Sequence, residues 1–144
     1  MSGVDGGHGQ AKLVFDHSET AYSFNPSITG STNIEQVGSG TTILAGNNGY
    51  AGSTKILGGT LAASSIQNFG WTGDITINNA RLRADASINF GSGSVPYGGR
   101  LFHLTGSAEI QATAAGTTVT IDRTVDGGGT LIMRAVNEGD VSIT

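Results

Sequence analysis

Read from the N-terminus, the chain alternates apolar and polar residues in short runs separated by Gly, Asn and Ser. The runs are Lys12–Phe15, Ala21–Phe24, Asn33–Val37, Thr41–Leu44, Thr54–Leu57, Gly59–Ala62, Asp74–Ile77, Ala80–Arg83, Ser87–Phe90, Arg100–Leu104, Ala108–Gln111, Thr118–Ile121, Gly129–Ile132 and Val141–Ile143. Most are three to five residues long with a period of two, which predicts strands buried on one face. No run has the period of an amphipathic helix, so the expected class is all-β.

The spacing between runs carries more than the runs themselves. Ile34, Ile56, Ile77, Leu101, Ile121 and Ile143 form one column, and Ile43, Leu61, Leu82, Ile110 and Leu131 form a second. Both recur about every 21 residues, the mark of a solenoid. Both also lengthen across the same segment, 91–99, as a loop inserted into one coil would require. A coil this short, with no helical stretch to fill it, predicts a parallel β-helix spanning 13–144, with residues 1–12 frayed. Roughly seven coils at about 4.8 Å each would make a rod on the order of 30 Å long. The alternative is a β-sandwich, which also spaces strands closely. Against it, no clean two-residue Asn-Gly or Asp-Gly hairpin joins successive runs, Asn48-Gly49 being the one candidate.

Composition changes the picture in two ways. Gly is abundant, at 24 of 144 residues, but Pro numbers only 2 and apolar residues run the whole length. The glycines therefore read as corners and points of close approach, including Gly46, Gly49, Gly52, Gly58 and Gly59, and not as a flexible linker. The net charge of −4, with no basic cluster, argues against a nucleic-acid partner or an anionic membrane surface. Cysteine is absent, which excludes disulfides and thiolate metal sites. The opening MSGVDGGHGQ has no apolar segment of the kind a signal peptide needs, so the chain is expected to be cytosolic or a piece of a longer precursor.

One stretch is more specific. Gly38, Gly40, Thr41, Ile43, Gly46, Asn48, Tyr50, Gly52, Thr54, Ile56, Gly59, Thr60 and Leu61 are spaced so that 38–61 resembles the passenger-associated repeat of bacterial autotransporters. Leu13–Phe24 and Ile28–Gly30 look like the lead-in that such passengers carry, so the likeness covers about 13–61. Gly49, Ala51 and Ser53 depart from the family's usual Thr, Thr and Gly. The resemblance implies a right-handed β-helical passenger, secreted through a C-terminal outer-membrane barrel and displayed on the surface of a Gram-negative cell. On that reading Ile56 and Leu61 point inward, and Tyr50 packs over a corner with its hydroxyl in water.

Candidate chemistry is sparse. No nucleophile elbow, zinc-binding HExxH or phosphate loop is present. His8, His17 and His103 are scattered. The positions following the first column (Glu35, Leu57, Asn78, Phe102, Asp122, Thr144) stack no carboxylates of the kind a glycosidase needs, and Asp85 and Asp126 read as solvated charges. Gly6-Gly-His-Gly9 begins like a calcium-binding repeat, but Ala11 stands where an Asp ligand is required. Asn47, Asn48, Asn78, Asn79 and Asn89 are candidates for structural ladders, and Arg81 and Arg83 for a solvent face. Val95, Pro96 and Tyr97 are the candidate ligand-contact loop. The expected function is a non-enzymatic stalk of an adhesin or virulence factor that needs no cofactor. Its expected partners are neighbouring coils, the barrel and a host protein or glycan, with end-to-end self-association of the fragment. The runner-up is a carbohydrate-binding or carbohydrate-cleaving β-helix.

Overall fold

The computed structural model describes residues 2–91, 100–122 and 124–143. Short alternating segments rich in Thr, Ile and Val cannot bury both faces of a sheet, so each turns at a corner and offers one face to a common interior. The result is a parallel β-solenoid of about 6 turns.

Each coil passes three faces. The first carries β1 (Gly3–Asp5), β4 (Ser27–Thr29), β10 (Ile88–Asn89), β12 (Thr118–Ile121) and β15 (Asp140–Ile143). The second carries β2 (Ala11–Phe15), β5 (Thr32–Gln36), β7 (Thr54–Ile56), the first half of β9 (Ile75–Ala84), the first half of β11 (Phe102–Ala112) and β13 (Val125–Asp126). The third carries β3 (Tyr22–Phe24), β6 (Thr41–Leu44), β8 (Thr60–Ala63), the second halves of β9 and β11, and β14 (Thr130–Ala135). Every ladder among the described residues is parallel, which rules out the antiparallel sandwich. Residues 1–12, expected to fray, contain β1, which pairs with β4, and the first two residues of β2.

The ladders fix the interior rows. Leu13, Ile34, Thr54, Ile75, Phe102 and Val125 make one row, with steps of 21, 20, 21, 27 and 23 residues. Phe15, Gln36, Ile56, Ile77 and Leu104 make the next, two positions along the same strands. The first sequence column therefore mixes rows. Ile34 and Ile56 lie in different ones, Ile121 and Ile143 belong to another face, and Leu101 is 36% exposed while Phe102 points inward. In the second column Leu61, Leu82 and Ile110 are a true row, continued by Thr42 and Met133 instead of Ile43 and Leu131. Inward positions two residues apart satisfy the same alternation, so spacing alone cannot tell them apart.

On the first face the strand of coil 4 is replaced by a 3-10 helix, Ile66–Phe69, begun by a Ser65–Asn68 capping box. There the sheet gives way to packed aromatics: Phe69 meets Phe90, and Phe90 meets Phe102, edge to face at 5.3 and 5.2 Å. Arg100, wholly buried, closes this region. Its Nη1 donates to Phe69 O (2.6 Å) and Gly73 O (3.5 Å), and its Nη2 donates to Gly70 O. Three backbone carbonyls outside any strand thus share one cation.

Candidate functional site

The repeat residues build the stack. A Cβ on Gly38 would lie 2.2 Å from His17 N and O, on Gly52 2.2 Å from Thr32 O, and on Gly46 2.5 Å from Pro26 O. At each point the chain lies directly on the coil before it, and only hydrogen fits. Gly40 and Gly59 are equally tight, against Glu19 O and Gly40 O. Of the glycines in 38–61, Gly59 alone has positive φ (53°), so close approach, more than left-handed backbone, is what this segment asks of glycine. Gly49 differs, because its nearest neighbour is the indole of Trp71 at 3.4 Å.

Buried polar side chains tie the coils together. Ile28 N donates to Asn48 Oδ1 (2.8 Å), Asn48 Nδ2 to Asn68 O (2.7 Å), and Asn68 Nδ2 back to Gly46 O (2.9 Å). Asn48 was an expected ladder residue; Asn68 was not. Asn79 bridges coils on the surface by accepting from Ser107 N (2.9 Å). Within coil 2, Thr42 Oγ1 donates to Gln36 Oε1 (2.5 Å) and Gln36 Nε2 donates to Gly38 O (3.0 Å), while Thr42 Oγ1 also pairs with His17 Nε2 of coil 1 (2.8 Å). Tyr50 reverses its expectation: it is fully buried, and its hydroxyl pairs with Thr54 Oγ1 at 2.6 Å. Burial pushes its phenol up to about 12, and the Thr54 hydrogen bond and Arg100 only partly offset this. Ile56 and Leu61 point inward as expected, and Thr60 is buried beside Leu61. Thr41 pairs with Thr60 along the ladder. Ile43 is half-exposed, and its neighbours Thr42 and Leu44 face the interior, because alternation leaves only one of the two sets inside.

Most of the charged pairs cross from one coil to the next, and Arg83–Asp85 lies within one. Arg81 and Arg134 both donate to Glu109 (2.8 and 2.7 Å). Desolvation raises the Glu109 carboxyl, but the bonds from Arg81 and Arg134 outweigh it, and the net shift is downward. Arg83 pairs with Asp85 (2.7 Å) and Lys12 with Glu35 (2.9 Å). His103 sits between carboxylates of two other coils, with Nδ1 on Asp126 and Nε2 3.7 Å from Asp74. The two carboxylates approach opposite sides of the ring and cannot converge on one ion. Among the described residues no group of three or more His, Asp or Glu side chains is placed to hold a metal. The contact-loop candidates Val95, Pro96 and Tyr97 lie outside the described residues.

One concave surface was missed by the sequence reading. Asp5, Gly7, His8, Thr29, Gly30, Ser31, Gly49, Ala51 and Trp71 line a groove along the corner between the first and second faces. Trp71 is half-exposed, and its backbone N–H donates to Tyr50 O (3.0 Å). The available signal was a single Trp between Gly70 and Gly73, outside the alternating runs.

Residues 34–63 match the family model described as the passenger-associated transport repeat. The chain carries an autotransporter passenger repeat. The match begins in β5 and ends with β8, so it spans one full coil with its flanking strands. The chain is also 32% identical over 93 residues to the "Adhesin BmaC autotransporter" of Brucella suis biovar 1 (strain 1330). That alignment takes in 65% of this chain and only 3% of the relative's length. No solved structure matches the chain. The repeat's signature is thus a recipe for one coil. Its glycines sit where backbones touch, its Asn and Tyr supply buried bonds, and Ile56 and Leu61 fill the rows.

Proposed function

We propose that this passenger segment is a stalk: a rod of stacked coils in a secreted, surface-exposed autotransporter adhesin, which holds distal binding regions away from the outer membrane. The observation that carries this reading is how the residues shared with the repeat are used. Gly38, Gly46, Asn48, Tyr50, Gly52, Thr54 and Gly59 go into seating one coil on the next, and none of them is offered to a ligand. A surface built this way transmits position and performs no chemistry, which favours a non-enzymatic role. Coils that each dock on the previous one also support stepwise folding outside the cell, which would oppose back-sliding through a C-terminal barrel. Location at the cell surface and a host partner belong to the same proposal, supported by the adhesin-named relative.

The test is made in the parent protein on whole cells. Antibodies raised against this segment should label intact bacteria, and Gly52→Val should lower surface display. No labelling of intact cells would overturn the stalk reading, as would turnover of any polysaccharide in a reducing-sugar assay. We further propose that the isolated 144-residue chain associates end to end through its unpaired coil edges. Light scattering should show mass rising with concentration, and a monomer throughout the series would contradict it.

A further inference from the structure

We propose that the Trp71 groove binds a neutral oligosaccharide lying along the solenoid axis. The groove is lined at the same corner by four successive coils, from Asp5 and His8 in the first to Trp71 in the fourth. Three coil spacings make it about 14 Å long, enough for more than one sugar ring. Gly30 and Gly49 are among its lining residues and add no side chain to it. Trp71 is half-exposed in a molecule that buries Tyr50, Phe69, Phe90 and Phe102 almost completely. Its indole lies against Gly49, so the backbone of coil 3 supports the ring while half of the side chain remains in water.

A rigid aromatic surface with a few polar groups beside it is the usual plan of a ligand site. Here the indole offers an apolar platform for the C–H face of a pyranose. Asp5, His8 and Ser31 supply the acceptors and donors that sugar hydroxyls need. The same lining sets the charge of the ligand. It contains no Lys or Arg, Asp5 is anionic, and the chain carries −4 overall, so sulfated and sialylated glycans are disfavoured. By contrast, the groove beside Arg81 and Glu109 has its charges already satisfied by each other.

This inference goes beyond the stalk reading, which stands or falls independently of it. The chain has a single Trp, so indole emission excited selectively reports on this site alone. Titration of the 144-residue chain with chitotriose and with lacto-N-tetraose should give a saturable blue shift of the indole emission with at least one of them. The dissociation constant should be on the order of 1 mM, at the weak end of the affinity scale. Saturation-transfer NMR should then show affinity reduced about tenfold or more in Trp71→Ala and largely kept in Trp71→Phe. An unchanged indole spectrum with both sugars overturns the proposal. So does equal binding by Trp71→Ala, or preferential binding of a heparin-derived tetrasaccharide.

Discussion

Tyr50 shows how much one side chain can decide. Its ring fills the interior and its hydroxyl satisfies Thr54, so each residue removes the other's desolvation cost. Tyr50→Phe strands the Thr54 hydroxyl and should lower unfolding free energy by about 1–2 kcal/mol in urea titration. The pH dependence follows from the raised phenol. Below about pH 10 the group is neutral in both states and the native advantage is intact. Between pH 10 and about 12 the unfolded chain ionises while the folded one does not, so stability falls as pH rises. Melting temperatures recorded across that window should drop less steeply in Tyr50→Phe than in the wild type. Arg100 carries a larger effect. Burial lowers its affinity for a proton, while Tyr50 and Asp74 raise it, and its guanidinium serves carbonyls of Phe69, Gly70 and Gly73. Arg100→Met should cost about 3 kcal/mol or more, because buried carbonyls lose their donor. A denaturation midpoint equal to wild type would contradict this role.

Among the elements, glycine is a matter of contact. Gly52→Ala places a methyl 2.2 Å from Thr32 O, and the only relief is to lift one coil off another. Gly49→Ala meets only side-chain atoms of Trp71 at 3.4 Å, an ordinary van der Waals distance that needs no displacement. The first should destabilise by more than about 2 kcal/mol and the second by less than about 0.5, as read by thermal melting of the pair. Similar losses for both would mean that the glycines act through backbone freedom and not through spacing. The Asn48–Asn68 pair belongs to the same scale. It replaces strand hydrogen bonds where the first face has no strand in coils 3 and 4, and Asn48→Leu should cost about 2 kcal/mol by leaving Ile28 N without its acceptor.

For the whole molecule, each coil touches only its neighbours, so the rod should tolerate the loss of a complete coil and not of half a coil. Deleting residues 34–53, one 20-residue step from Ile34 to its ladder partner Thr54, joins Asn33 to β7 and sets it on β2 in the old register. Deleting residues 34–43 leaves the following strands half a turn out of place. The first variant should keep a β-type circular dichroism spectrum and a cooperative melt, and the second should lose both. Equal behaviour would show that stability is not organised coil by coil.

The sequence alone determined the class, the period and the repeat. Alternation in runs such as Thr54–Leu57 demands strands with one buried face, and a recurrence near 21 residues demands that they stack. Glycines spaced as in 38–61 make sense only where backbones meet. Row membership was not legible, because Ile34 and Ile56 satisfy the alternation equally and the steps within the Leu13 row alone vary from 20 to 27 residues. Nor could the local pattern reveal that Tyr50 is dry, that Asn68 and Arg100 serve carbonyls a coil away, or that Asp5, Gly30, Gly49 and Trp71 share one groove. Those relations lie perpendicular to the chain. Local alternation fixes which way a side chain points, and only the stacking of coils decides what it meets.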